Sequence, residues 1–229
     1  MTAPIRRLTA AAAALLLGLT GAAALAQTPS GSATPMRLDA KAAPPTRVAG
    51  SLPAYPADAR QRRIGGVVSV DITIDPKGKV TDAKAARSIP ALEAATIEAA
   101  RHWEYRIAPP LRNGKPAPAL WTVVLYFDVD SGRVEEVQRI APLGPQPKKT
   151  KNVAPVYPAS ARGGRTGRVV IEAVVDRTGH VIDMRVVGGT GGFEAAALEA
   201  VRQWEYAPLD MKGVAVPFVL TVTVLSSPH

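Results

Sequence analysis

Few side chains in this sequence are of the types that carry chemistry, and none is spaced to act with another. There is no cysteine, which removes disulfides, thiolate zinc sites, thiol nucleophiles and iron–sulfur clusters together. Of three histidines, His102 precedes Trp103 and falls off the apolar face of its segment. His180 follows a turn glycine, and His229 ends the sequence. No two are near one another and no acidic partner is set to orient them, so catalytic and metal-binding roles find no support. Gly188-Gly189-Thr190-Gly191-Gly192 falls between an expected strand and helix, where a phosphate loop would sit. No lysine follows those glycines, and the matching stretch elsewhere reads Arg87-Ser88-Ile89-Pro90-Ala91. The loop is read as permissive, and the protein as a non-enzyme without cofactor or metal.

Charge offers a second chemistry. The net charge is +9, but residues 1–26 carry +2, 27–54 carry +2, 55–130 carry +2, 131–151 carry +3 and the remainder none. The excess therefore lies in the leader and connecting segments, and Lys148, Lys149 and Lys151 have no aromatic interleaving, so no nucleic acid is expected as partner. Two arginine groups precede strands: Arg60, Arg62 and Arg63, then Arg162, Arg165 and Arg168. They are read as solvated loops, with contact to an anionic partner such as cell-wall carboxylates as the sharper alternative.

What would position these residues begins after an export signal. Arg6 and Arg7 precede an uncharged, Ala- and Leu-rich run, Leu8 to Ala26, ending in Ala24-Leu25-Ala26 before Gln27. That is the layout of a cleaved signal peptide, which places the mature protein in the periplasm. The rival reading is an uncleaved anchor, since nineteen apolar residues would just span a bilayer at ~1.5 Å per residue.

Beyond it, one unit is written twice. Tyr55-Pro56 with Ala59-Arg60 recurs as Tyr157-Pro158 with Ala161-Arg162, and Asp75-Pro76-Lys77-Gly78 as Asp176-Arg177-Thr178-Gly179. Glu93-Ala94-Ala95 recurs as Glu194-Ala195-Ala196, and Trp103-Glu104-Tyr105 as Trp204-Glu205-Tyr206. The repeat divides the chain into a signal peptide (1–26), a linker (27–54), a first domain (55–130), a second linker (131–152) and a second domain (153–229).

Within a copy, Val68, Val70, Ile72 and Ile74 alternate with polar residues as a half-buried strand. The Asp-x-x-Gly turn reverses the chain into a second strand. Leu92, Thr96, Ala99 and Trp103, and Phe193, Ala197, Ala200 and Trp204, mark one face of a helix. A third strand closes each copy. The fold class is α+β: two tandem β-β-α-β domains, each a three-stranded antiparallel sheet of order 2-1-3 with a helix on one face. Strand three is then an edge, and in copy one it is apolar on both faces. Trp121, Val123, Leu125 and Phe127 lie on one face, Leu120, Thr122, Val124 and Tyr126 on the other. Such an edge demands a partner or a cover.

In order and spacing, the Tyr-Pro-x-x-Ala opening, strand, Asp-x-x-Gly hairpin and helix ending in Trp-x-Tyr before Ala-Pro resemble the TonB C-terminal domain. The resemblance covers residues 55–128 and 157–225. It implies a non-catalytic envelope domain of Gram-negative bacteria that accepts an extended peptide of an outer-membrane transporter as an added strand, supporting transport across that membrane. The edges it points to are Leu120 to Phe127 and Val219, Leu220, Thr221, Val222, Thr223 and Val224, and strand addition is an established recognition mode. A proline at Val123 is expected to block such addition while the domain still folds.

Two departures from the family's force transducers stand out. The apolar run has no histidine and ends in a cleavage site, and residues 27–54 would reach only ~90 Å when fully extended. A binding protein is therefore expected ahead of a membrane-anchored energy transducer. A further alternative is an envelope scaffold, binding the cell wall (peptidoglycan), in which the two third strands pair with each other. Intact mass of the protein from envelope fractions of its own host is expected to show a chain beginning at Gln27 and soluble in the periplasm. A chain beginning at Met1 in the inner membrane would restore the transducer reading.

Overall fold

The computed structural model describes residues 34–38, 43–141, 145–159 and 166–227. The leader, Arg162, Arg165 and His229 lie outside them. Ala33–His229 forms one compact unit. In chain order, β1 (Met36–Arg37) and β2 (Thr46–Ala49) precede a one-turn helix, α1 (Ala57–Gln61). Then come β3 (Gly66–Ile74), β4 (Val80–Arg87), α2 (Pro90–Arg101) and β5 (Glu104–Arg106). A hairpin of β6 (Leu111–Arg112) and β7 (Lys115–Pro116) leads into β8 (Ala119–Asp128). The connecting stretch carries β9 (Arg133–Glu136), β10 (Gln138–Arg139) and β11 (Lys149–Lys151). The second copy repeats the order with β12 (Gly167–Val175), β13 (Val181–Gly189), α3 (Glu194–Arg202) and β14 (Glu205–Tyr206). The hairpin of β15 (Leu209–Met211) and β16 (Val214–Val216) then leads into β17 (Phe218–Ser226).

The first sheet runs β1-β8-β3-β4, with β9 also on β8, and the second runs β10-β17-β12-β13. The sheets thus have five and four strands rather than the expected three. The extra strands come from the two stretches read as linkers, whose Pro and Lys content hid short pairing segments. In each copy the first long strand lies between the other two, antiparallel to both.

Alternation in β3 sends Val68, Val70, Ile72 and Ile74 into a core with Leu92, Ala100, Trp103, Tyr105 and Phe127. Pro90 opens α2, where a missing N–H is harmless, and Glu93 and Arg101 suit its two ends. Val169, Ile171, Ala173 and Val175 build the second core with Phe193, Ala197, Val201, Trp204 and Phe218. The tryptophan after each helix ties its copy to the preceding stretch: Trp103 Nε1 donates to the Ser51 carbonyl and Trp204 Nε1 to that of Val153, both at 2.8 Å. Arg47 lies 5.5 Å above the first indole and Lys149 3.0 Å above the second, so β2 and β11 clasp equivalent rings.

A third, smaller core joins the copies. Val67 and Val124 of the first sheet meet Val174 and Val219 of the second, with Val137 between and Tyr126 and Ile182 packed against them. These residues lie on the sheet faces that carry no helix. The two apolar faces of β8 are accounted for: one sits under α2, the other against the second sheet.

The Asp-x-x-Gly turns do more than reverse the chain. Asp75 Oδ1 accepts from the Lys77 and Lys79 amides, and Asp176 Oδ1 from those of Thr178 and His180. Gly78 has φ +95° and its carbonyl accepts from the Tyr105 amide at 2.7 Å. A Cβ there would overlap the Tyr105 carbonyl oxygen. Gly78→Ala is therefore expected to lower stability by more than about 1 kcal/mol. Gly114→Ala, in open space at φ +74°, carries only the backbone strain and should cost less; denaturant titration of the two variants compares them.

Candidate functional site

The edge strands named by the sequence are reached by two different covers. On β8, β1 pairs in parallel at Ala119 and Leu120, and the Leu38 amide extends it to the Leu120 carbonyl. From the other end β9 pairs antiparallel with Leu125 to Asp128, and the Val137 amide donates to the Val124 carbonyl at 2.8 Å. Those bonds come from even-numbered residues, so Leu120, Thr122, Val124 and Tyr126 aim their backbone groups outward, and Trp121, Val123 and Leu125 aim theirs at β3. Trp121 to Val124 therefore form a short interval between the two covering strands. The edge read as uncovered is largely occupied by the chain's own segments, a correction that follows from the pairing capacity of the stretches on either side of the domain.

On β17 the cover is shorter. β10 pairs in parallel with Phe218 and Val219, through the Gln138 amide to Pro217 and the Ile140 amide to Val219, both at 2.9 Å. The outward backbone groups here belong to odd-numbered residues. Beyond Val219, the outer edge of β17 has no strand partner among the described residues, from Leu220 to Ser226. Thr221, Thr223 and Leu225 are exposed, Leu225 at 63%, while Leu220 and Val224 are buried in the core with Val222 packed against them. The two third strands do not pair with each other. Residues of the connecting stretch intervene, β9 on β8 and β10 on β17, so the directly paired pseudo-dimer is overturned.

In the first arginine group, Arg60 and Arg63 both reach the turn that follows β8. Arg63 is paired with Asp130 at 2.8 Å, and the Arg60 guanidinium packs over Gly132. Arg62 is exposed at the end of α1, and Arg168 is exposed on β12. A different set converges between the sheets, one that the sequence reading missed. Arg139 of β10 bonds Glu172 at 2.6 Å, and Arg185 bonds the other oxygen of Glu172 at 2.6 Å. Arg87 forms a two-pronged pair with Asp183. Arg37 of β1 lies 3.9 Å from Asp71, which also accepts from the Thr122 hydroxyl. The pairs Arg37–Asp71 and Arg139–Glu172 occupy matching places in the two copies. The signal that could have found them was the repeat itself, extended upstream of Tyr55, since Arg37 and Arg139 stand at the same 102-residue spacing as Tyr55 and Tyr157.

His180 Nδ1 lies 2.8 Å from the Thr178 hydroxyl. His102 is exposed, its Nδ1 2.9 Å from the Glu98 carbonyl. The Gly192 amide donates to the Glu194 carboxylate at 2.7 Å. Tyr105 and Tyr206 are buried with hydroxyls that meet no partner among the described residues, and burial pushes Tyr206 up to about 12 and Tyr105 higher still.

The family of the Gram-negative bacterial TonB protein C-terminal matches the sequence twice, at residues 51–129 and 153–225, about two-thirds of the chain. The chain belongs to that family. Its two copies of the TonB C-terminal domain are tandem, as the repeat predicted, and the family is one of the Gram-negative envelope. No curated protein matches the chain significantly. Among the described residues, no helix is long and apolar enough to cross a membrane.

Electrostatics on the second sheet give a pH dependence. Burial alone would raise the Glu172 carboxyl, but hydrogen bonds and charge from Arg139 and Arg185 outweigh it and hold it below its ordinary 4.5. A lowered carboxyl contributes stability above its unfolded value, lost as pH falls through the lower folded value. Glu172→Gln is expected to cost about 2 kcal/mol at pH 7. That difference should shrink once the medium is acidified well below pH 4.5, as urea midpoints of both proteins across pH will show.

Proposed function

We propose that this protein is a non-enzymatic periplasmic binder of extended peptide segments from outer-membrane transporters or other envelope proteins, and that it acts by strand addition at β17. The observation that carries this reading is the run from Leu220 to Ser226. It is long enough for several ladder bonds, its outward amides and carbonyls have no strand partner among the described residues, and exposed Leu225 adds apolar surface beside them. A free, regular edge of this kind is what an incoming strand needs. The β8 edge is less suited, because β1 and β9 already hold it at both ends. Family membership supports a further reading, a supporting role in TonB-dependent transport. The compact unit into which both copies fold also favours a scaffold as second reading.

Proline distinguishes the two. At Val123 it would break the bond to β3, since that amide faces inward and the side chain is 2% exposed. The sequence-based choice is therefore replaced by Thr223, whose side chain is exposed and whose amide faces outward. Thr223→Pro is expected to abolish calorimetric binding of the extended N-terminal segment of a transporter from the same host, with an unchanged far-ultraviolet spectrum. Binding that survives the substitution would move the site away from β17 and favour the scaffold.

A further inference from the structure

Where the valines of the third core end, the two sheets part around a cavity of about 330 Å3. Val67, Val124, Val174 and Val219 line it, together with four arginines (Arg37, Arg87, Arg139 and Arg185) and three carboxylates (Asp71, Glu172 and Asp183). The two signs are distributed unequally. The carboxylate side chains are sunk, with Glu172 15%, Asp183 17% and Asp71 30% exposed, while those of Arg37, Arg185 and Arg87 are 64%, 63% and 48% exposed and that of Arg139 34%. Each carboxylate is already engaged: Glu172 by Arg139 and Arg185, Asp183 by Arg87, and Asp71 by the Thr122 hydroxyl with Arg37 alongside.

A guanidinium has five N–H donors, and these contacts use one or two of them. Here the anions form the floor and the cations the rim, with one positive charge in excess. The low-dielectric valine wall strengthens the field that such a rim presents to an incoming anion.

We infer that the cleft between the two sheets recognises a carboxylate-bearing peptide segment, with Arg37, Arg87 and Arg185 at its mouth as the groups that receive the acidic side chains. Planar guanidiniums suit carboxylates because two parallel N–H···O bonds can form at once. The site is separate from the β17 edge: three of its four arginines sit on β1, β4 and β13, and Arg139 sits on the covering strand β10. It accepts side-chain charge, whereas the edge accepts backbone.

The test is calorimetric titration of the mature chain at low salt with an acetylated, amidated tri-glutamate peptide, and with tri-lysine as control. Tri-glutamate is expected to bind and tri-lysine not, and the affinity should fall as salt is raised from 20 to 200 mM, since exposed charges are screened over about 10 Å at 0.1 M. The double variant Arg37→Gln, Arg185→Gln, both at exposed side chains, should weaken binding at least about tenfold, the equivalent of roughly 1.4 kcal/mol. Arg112→Gln, on the β6–β7 hairpin outside the cleft, should leave it unchanged, and so should Thr223→Pro. If the double variant fails to fold by circular dichroism, Arg37→Gln alone carries the test, with a threefold loss expected. Absence of tri-glutamate binding, or equal losses in the cleft variant and in Arg112→Gln, would overturn the inference. Loss in Thr223→Pro alone would place the acidic peptide on the edge instead.

Discussion

A sheet with a helix on only one face leaves its other face apolar unless something covers it, and the packing of Val67 and Val124 on Val174 and Val219 answers that need for both copies at once. Burying a valine is worth about 1.5 kcal/mol or more, so this cluster holds the halves together on a scale comparable with the net stability of a small domain. Its placement dictates the rest. The helices face away from each other, the connecting stretch is drawn in beside Val137, and β9 and β10 are brought to the two third strands in succession. Charge then collects where the valines stop, because a cleft between diverging sheets can hold ion pairs while still admitting water.

Backbone hydrogen bonding works to the same end. Every open strand edge is a row of unmet donors and acceptors, and the short strands on β8 and β17 reduce that row unequally. Copy one is closed at both ends of its edge, copy two at one end. β8 is followed by a stretch that turns back on it through the Asp128–Arg133 reversal. Duplicated units need not keep duplicated functions when the chain around them differs.

Much of this was legible in the residues. The alternation in Val68–Ile74, the helix face begun by Leu92 and Thr96, the Asp-x-x-Gly turns and the tandem arrangement all follow from local pattern, and family membership agrees with them. What escaped was pairing without pattern. Met36–Arg37 and Gln138–Arg139 are two-residue strands with no alternation to read, and their partners lie about 80 residues further along the chain. The arginine rim was hidden for the same reason, since Arg87 and Asp183 are adjacent only after the sheets meet. The unpaired run on β17 lay within the edge the sequence named, but its distinction from β8 depended on those unread strands.

Trp103 and Trp204 each donate the indole N–H to a carbonyl just upstream of the opening Tyr-Pro, and each upstream stretch also lends its copy a parallel strand. The natural boundary of a copy therefore lies well before its recognisable motifs. A fragment trimmed to begin at residue 51 or 153, where the family match starts, would keep every signature residue and lose the clasp over the indole and the strand beside Leu120 or Val219. Its third strand would be barer than it ever is in the intact chain. Self-association or avid peptide capture by such a fragment would then report the cut, not the protein.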